Sequence, residues 1–231
     1  MIGLSPCPLP ARANFDQAGG SFSRKNALAM SVVTLTQSVN TAEVGPPSRL
    51  EAEAAVRTLL RWAGDDPNWD GLIDTPARLV RAFEEYFAGY AVEPTRVLST
   101  TFEETNGYDE MIVLRGIPFE SHCEHHLAPI IGRAWVGYVP NGRVIGISKL
   151  ARVVEAYAKR LQIQERLTAQ IAQAIHDALR PQGVAVVLKA THHCLSSRGV
   201  HKHNTEMVTS RTLGCLRDNC VTRQEFLALA E

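Results

Sequence analysis

The sequence predicts an α+β protein: an antiparallel sheet with helices packed on one face. Runs rich in β-branched residues recur at 110–117, 130–139, 144–147, 184–191 and 206–213, bounded by turn residues as strands are. Apolar residues at helical spacing mark 52–63, 76–89, 150–161 and 165–179. The resulting order is two helices, strands, two helices, strands and a closing helix. No internal repeat is visible.

Local signals place each element. Residues 1–45 hold Pro6, Pro8, Pro10, Gly19 and Gly20 among many Ser, Thr and Asn, and predict a flexible extension. Asp16 and Glu43 are its acidic residues, a faint transit-peptide character that the prolines and sparse arginines outweigh; Met30 is an alternative start. Order begins at Ser48-Arg49-Leu50-Glu51, a capping-box pattern. Thr75 is the expected cap of the second helix, with Pro76 in its first turn and Gly89 as its stop. Pro140-Asn141-Gly142 between two strand patterns predicts a hairpin of 130–139 with 144–147. Pro181-Gln182-Gly183 ends the fourth helix, and Thr222-Arg223-Gln224-Glu225 reads as a capping box for the last. One domain is expected over 46–231, with N-terminal helices at 48–89 and an α+β core from about 108 to 231.

Composition narrows the class. At 231 residues and 45% hydrophobic, the chain has enough apolar surface for a proper core. Lys+Arg and Asp+Glu are equal at 24 each, so the formal charge is zero. Nucleic-acid binding, which needs a basic face, is therefore not expected. The five cysteines are odd in number and form no dense framework. No signal-peptide pattern and no run of 18 apolar residues occurs, so no membrane partner is expected. The expectation is a reduced, cytoplasmic protein whose cysteines are metal ligands or core residues.

The strongest chemical signal is Cys123-Glu124-His125-His126 read with His192-His193-Cys194. A thiolate and an imidazole three residues apart grip one face of a zinc ion. A second thiolate from a distant segment makes three ligands and leaves a position for water, as catalytic zinc sites do. Cys123, His126 and Cys194 are the expected ligands of Zn2+, and His125 and His192 the proton-transfer groups beside it. Cys215 and Cys220, five apart, are rival ligands with a structural role as the plainer account. Gln164-Glu165 opens a helix. A carboxylate there accepts from the N1–H and amino group of a guanine edge while an amide donates to its carbonyl. By residue type alone, a helix N-terminus that favours acidic groups is the better account of the pair. Ser148-Lys149, with Arg152 one turn on, and Arg198 make basic clusters suited to an anion such as a polyphosphate. Solvated surface charge is their bland alternative.

Taken together, these stretches resemble GTP cyclohydrolase I. The likeness is carried by Asp74-Thr75-Pro76-Ala77-Arg78, Ser121-His122-Cys123-Glu124-His125-His126, Val144-Ile145-Gly146-Ile147-Ser148-Lys149-Leu150, Gln162-Ile163-Gln164-Glu165-Arg166-Leu167-Thr168, Arg198-Gly199-Val200 and Thr222-Arg223-Gln224-Glu225-Phe226-Leu227. It spans roughly residues 48–231. The resemblance implies the tunnelling fold, subunits joined into a barrel (usually a homodecamer), and zinc-dependent opening of the guanine ring of GTP to give formate and 7,8-dihydroneopterin triphosphate. It implies zinc on Cys123, His126 and Cys194, acid/base work by His125 and His192, and guanine held by Glu165 with Gln164 beside it. Ribose and triphosphate fall to Ser148, Lys149, Arg152 and Arg198, with Arg78 and Arg81 as weaker candidates. A structural zinc module for protein interaction, or another pterin or deazapurine enzyme of the same fold, are the rival classes.

Overall fold

The computed structural model describes residues 45–99, 101–102 and 107–231. The expected extension over 1–45 lies outside the described residues apart from Gly45. Arg49–Glu231 form one compact unit.

Helix α1 (Arg49–Ala63) starts directly after Ser48, where the capping pattern puts it. Helix α2 (Thr75–Tyr86) is capped at Asp74 rather than Thr75, and Pro76 is its second residue, where a missing N–H costs nothing. A 3-10 turn (Ala88–Ala91) and the one-turn α3 (Pro94–Val97) lead to the short strand β1 (Thr101–Phe102). Then come β2 (Ile112–Cys123), β3 (Pro129–Val139), β4 (Val144–Ile145), α4 (Ile147–Ala158), β5 (Leu161–Gln162) and α5 (Gln164–Leu179). Strand β6 (Gly183–His192), one-turn α6 (His193–Ser196), β7 (Glu206–Gly214), one-turn α7 (Cys215–Asp218) and α8 (Cys220–Ala230) complete the chain.

The main sheet runs β5-β2-β3-β6-β7. Four strands are antiparallel, but β5 pairs parallel with the end of β2, at His122 and Cys123, so the sheet is mixed rather than purely antiparallel. The hairpin predicted at Asn141-Gly142 does not form. β3 already has β2 on one edge and β6 on the other, so the returning segment has no edge to join. β4 pairs instead with β1, and the Ile145 N–H donates to Tyr138 Oη at 3.1 Å.

Helices lie on both faces, not one. Leu150, Val153 and Val154 of α4 and Leu167, Ile171 and Ile175 of α5 bury the face that presents Val136, Tyr138, Val184, Val186 and Leu188. The alternate residues Ala185 and Val187 point the other way, where Leu216 and Phe226 cover them. Gly137 permits that contact, since a Cβ there would lie 2.7 Å from the Phe226 ring. The last helix starts before its expected cap: Asn219 Oδ1 accepts from the Val221 and Thr222 N–H groups at 2.9 and 3.4 Å.

Two contacts orient α4 along the sheet. Its start lies by Tyr138, through β4. Its end lies by the close of β2, where Ser121 Oγ donates to Arg160 O at 3.4 Å. Gly89 locks the N-terminal helices here, because its N–H donates to Lys159 O at 3.0 Å and a Cβ would fall 2.4 Å from Ala156 O.

Candidate metal centre and active site

Strand β2 runs past its predicted end and delivers Cys123 as its last residue. Pro118 does not stop it, because at that position β2 has a neighbour on the β3 side alone. A tight turn follows: the Leu127 N–H donates to Cys123 O and the Cys123 N–H to Ala128 O, both at 2.8 Å, with Leu127 at φ 55°. The turn folds His125 and His126 back over the sulfur. Cys123 Sγ lies 3.7 Å from His125 Nδ1 and 3.8 Å from His126 Nδ1.

Cys194 arrives from the other side. β6 ends at His192, and Cys194 sits on α6 rather than on the strand. Donor atoms of Cys123, His126 and Cys194 all fall within 4.8 Å of one another. Burial pushes the Cys194 thiol pKa up, and the neighbouring Cys123 thiol pushes it the same way, while Arg198 opposes them. Two thiols and an imidazole converging so closely fit a metal ion, which would take the protons' place.

Several residues that brace this turn carry no spacing signal. Arg166 on α5 donates to the Glu124 carboxylate, to Gln162 Oε1 at 3.1 Å and to Leu161 O at 2.9 Å. Gln162 is buried, its side-chain amide donates to Tyr157 O and to Gln170 Oε1 at 2.9 Å, and its backbone carbonyl receives the Glu124 N–H at 3.1 Å. Glu124 lies inside the metal motif, but only the fold reveals that Arg166 holds it.

Gln164 is 1% exposed, and its amide is fully engaged. Nε2 donates to Leu188 O at 3.2 Å and Met207 O at 3.0 Å, and Oε1 meets His192 Nε2 at 2.7 Å. The amide thus lies between Leu188 and Met207 on one side and His192 on the other, beside the position expected for a guanine edge. Burial lowers the His192 pKa, and the Glu165 carboxylate works against that shift. Glu165 is therefore close enough to His192 to be felt, in the first turn of α5.

The basic candidates divide. Arg198 is at the centre, with Nη1 3.0 Å from His126 Nε2. Arg78 pairs with Asp74 at 3.1 Å on the exposed surface of α2. Ser148 and Lys149 open α4, and Arg152 lines a 410 Å³ cavity with Glu85, Glu155 and Lys159. Among the described residues none of these three bonds to the cysteine cluster. Lys149 lies about 15 Å up α4 from Lys159, at 1.5 Å per residue, toward the opposite end of the sheet.

The fold and cluster together define an α+β protein whose three converging donors, flanked by histidines, are compatible with a metal site. The chain belongs to the GTP cyclohydrolase I family, whose model matches residues 52–231. GTP cyclohydrolase 1 of Maricaulis maris (strain MCS10) is 54% identical over 185 residues, covering 80% of this chain and 90% of its own. GTP cyclohydrolase 1 of Hyphomonas neptunium (strain ATCC 15444) is 54% identical over 181 residues, covering 78% and 88%. A crystal structure of the archaeosine synthase QueF-Like in the apo form aligns with 45% of this chain and 93% of its own at 21% identity, with a TM-score of 0.38, too weak a likeness to bear on function.

Proposed function

We propose that this protein hydrolyses GTP at guanine C8, releases that carbon as formate and rearranges the remainder to 7,8-dihydroneopterin triphosphate, the first step of folate and pterin synthesis. The observation that carries the proposal is the convergence of Cys123, His126 and Cys194 within 4.8 Å, in a chain whose relatives are named GTP cyclohydrolase 1. These three residues would hold one zinc ion per subunit, since two thiolates and an imidazole suit zinc and three ligands leave a place for water. When bound, the ion supplies a water acidified to a pKa of about 7.

The chain's own groups do the rest. Glu165 accepts from the N1–H and 2-amino group of guanine and sets C8 toward the cluster. His192 and His125 move protons at the imidazole-ring nitrogens of the base, because a purine nitrogen leaves readily only when protonated. Arg198 takes part of the triphosphate from the same subunit. Ser148 and Lys149 start α4, about 15 Å from the helix end near the cluster, so the partner subunit's Ser148, Lys149 and Arg152 would hold ribose and phosphate, with Arg78 a weaker candidate. That arrangement supports the tunnelling fold and a homodecamer, in which the outer edge of β7 pairs between subunits. The setting is cytoplasmic, in keeping with free thiols at Cys123, Cys194, Cys215 and Cys220, and no helix among the described residues is long and apolar enough to cross a membrane.

Incubation with GTP, with formate measured and a fluorescent pterin sought after oxidation, tests the proposal. Both products are expected in equal amounts; a zinc-loaded protein that yields neither would overturn it. A structural zinc module would instead need a fourth protein donor, and the cluster among the described residues has three.

A further inference from the structure

We propose that Thr168 and Thr209 are positioning residues for His192: through Gln164 they hold its imidazole with a proton on Nε2 and leave Nδ1 as the nitrogen that exchanges protons with the substrate. The inference rests on the cyclohydrolase reading for its kinetic consequence, but not for its structural one.

The geometry is a chain of forced hydrogen-bond directions. Thr168, one turn along α5 from Gln164, donates its hydroxyl to Gln164 O at 2.6 Å. Its hydrogen is thereby spent. The 2.7 Å contact between Thr168 Oγ1 and Thr209 Oγ1 must then be donated by Thr209. Thr209 is left with a lone pair, which receives Gln164 Nε2 at 3.1 Å. Leu188 O and Met207 O also face that nitrogen and accept only, so its two hydrogens are shared among three acceptors. Three acceptors at one end of the carboxamide assign that end to NH2. The other end, Oε1, is an acceptor 2.7 Å from His192 Nε2, so Nε2 carries a proton. Among the described residues no hydrogen bond engages Nδ1.

Burial makes the loop rigid. Gln164 and Thr168 are each 1% exposed, so water does not substitute for a lost partner. Thr209 faces Leu188 across the β6–β7 ladder, so the loop ties α5 to both strands. A methyl in place of the Thr209 hydroxyl would sit 2.7 Å from an oxygen and 3.1 Å from a nitrogen, inside van der Waals contact for carbon. The amide must shift, and His192 with it.

The test uses the full-length zinc-loaded protein with 15N-labelled histidine rings, in which two-bond couplings identify the protonated nitrogen; the His192 signals are assigned by their loss in His192→Asn. Nε2–H is expected in the wild type, and a ring protonated on Nδ1 alone overturns the inference whatever the protein's activity. In Thr209→Val the His192 signals should shift or mix, and kcat for GTP should fall about ten- to hundredfold with KM and zinc content unchanged. Thr209→Ser should restore both. Wild-type spectra and kcat in Thr209→Val also overturn it. A lost zinc site or collapsed melting in Thr209→Val with no recovery in Thr209→Ser would make the loop structural and sink the positioning role.

Discussion

Arg198 Nη1 lies 3.0 Å from His126 Nε2, while Nδ1 of the same ring faces Cys123 Sγ at 3.8 Å. A guanidinium only donates, so Nε2 accepts and the proton of the neutral ring sits on Nδ1, aimed at sulfur. A metal at the cluster would need an unprotonated His126 nitrogen; with Nδ1 the one beside Cys123, the ring proton would lie on Nε2 facing a donor, and Arg198 would be free to meet an anion. Arg198→Ala should therefore keep its zinc yet bind GTP more weakly by about 1.5–3 kcal/mol, roughly ten- to hundredfold in KM. Guanosine should be little affected. Metal content and the two binding constants check this, and an equal loss for both ligands would assign Arg198 to structure.

The metal ligands should be separable from the core. Cys194 is half-buried on a one-turn helix, and Cys123, although buried against the core, is the last residue of β2, so the donor cluster sits at the end of the sheet. Cys123→Ser, His126→Ala and Cys194→Ser are each expected to lose zinc and turnover while keeping their far-ultraviolet dichroism and cooperative melting. Stoichiometric zinc in Cys194→Ser would remove that residue from the ligand set.

Glu165 offers a test of base recognition. Glu165→Gln keeps the size of the side chain but removes the charge proposed to accept from guanine, and the expected cost is about 1.5–3 kcal/mol. Its GTP affinity should fall with no loss of zinc. The pair Gln164 and Glu165 behaves oppositely in this respect, since Gln164 is enclosed by α5, β6 and β7 and Glu165 is not.

The sequence made the local parts legible. Cys123 and His126 share one turn, so their spacing alone predicts that they meet. Helix starts at Ser48 and Gln164 follow from nearby residues for the same reason. Cys194 joining them was legible only from its residue type and its histidine neighbours, because no periodicity links residues so far apart. The failures share a cause: each depended on a partner distant in sequence. Val144–Ile145 looked like the return arm of a hairpin, yet β6 had taken that edge of β3. The hold of Leu188 and Met207 on the Gln164 amide is likewise invisible in the local sequence. Phe226, which brings a helix to the second face of the sheet, announces itself only through the close approach at Gly137.

Alkaline pH should weaken the fold through Tyr138. This phenol is fully buried, and burial raises its pKa above the usual range of about 10, although the hydrogen bond it receives from the Ile145 N–H opposes the shift. With the folded pKa raised, the unfolded chain loses its proton first. The contribution is complete below about pH 10 and fades as pH climbs through the folded value. Burial shifts Tyr157 and Cys215 in the same direction. Tyr138→Phe should flatten the alkaline fall in melting temperature. At neutral pH it should cost about 1–3 kcal/mol, because the buried Ile145 N–H loses its acceptor. Denaturant melts from pH 7 upward check both, and an unchanged alkaline slope would clear Tyr138 of the effect.

The division of the basic residues predicts a shared site. Arg198 stands beside the cysteine cluster, whereas Lys149 starts α4 at the far end of the sheet, about 15 Å from the helix end that abuts the cluster. A triphosphate bound at the cluster would be met by a second subunit's Lys149 sooner than by its own. Exposed Leu59 and Trp62 on α1, exposed Trp69 on the connection between α1 and α2, and the outer edge of β7, unpaired among the described residues, offer surface for that assembly. Mixing Cys123→Ser with Lys149→Ala subunits should then restore part of the activity that each lacks alone, since some mixed boundaries combine an intact cluster with an intact lysine. Deleting residues 1–45 should change neither assembly nor turnover, because the motifs all fall after them. Sedimentation and formate release before and after subunit exchange provide the measurement. An active monomer, or no rescue once exchange is demonstrated by mixed oligomers in native mass spectrometry, would show that each chain builds its site unaided.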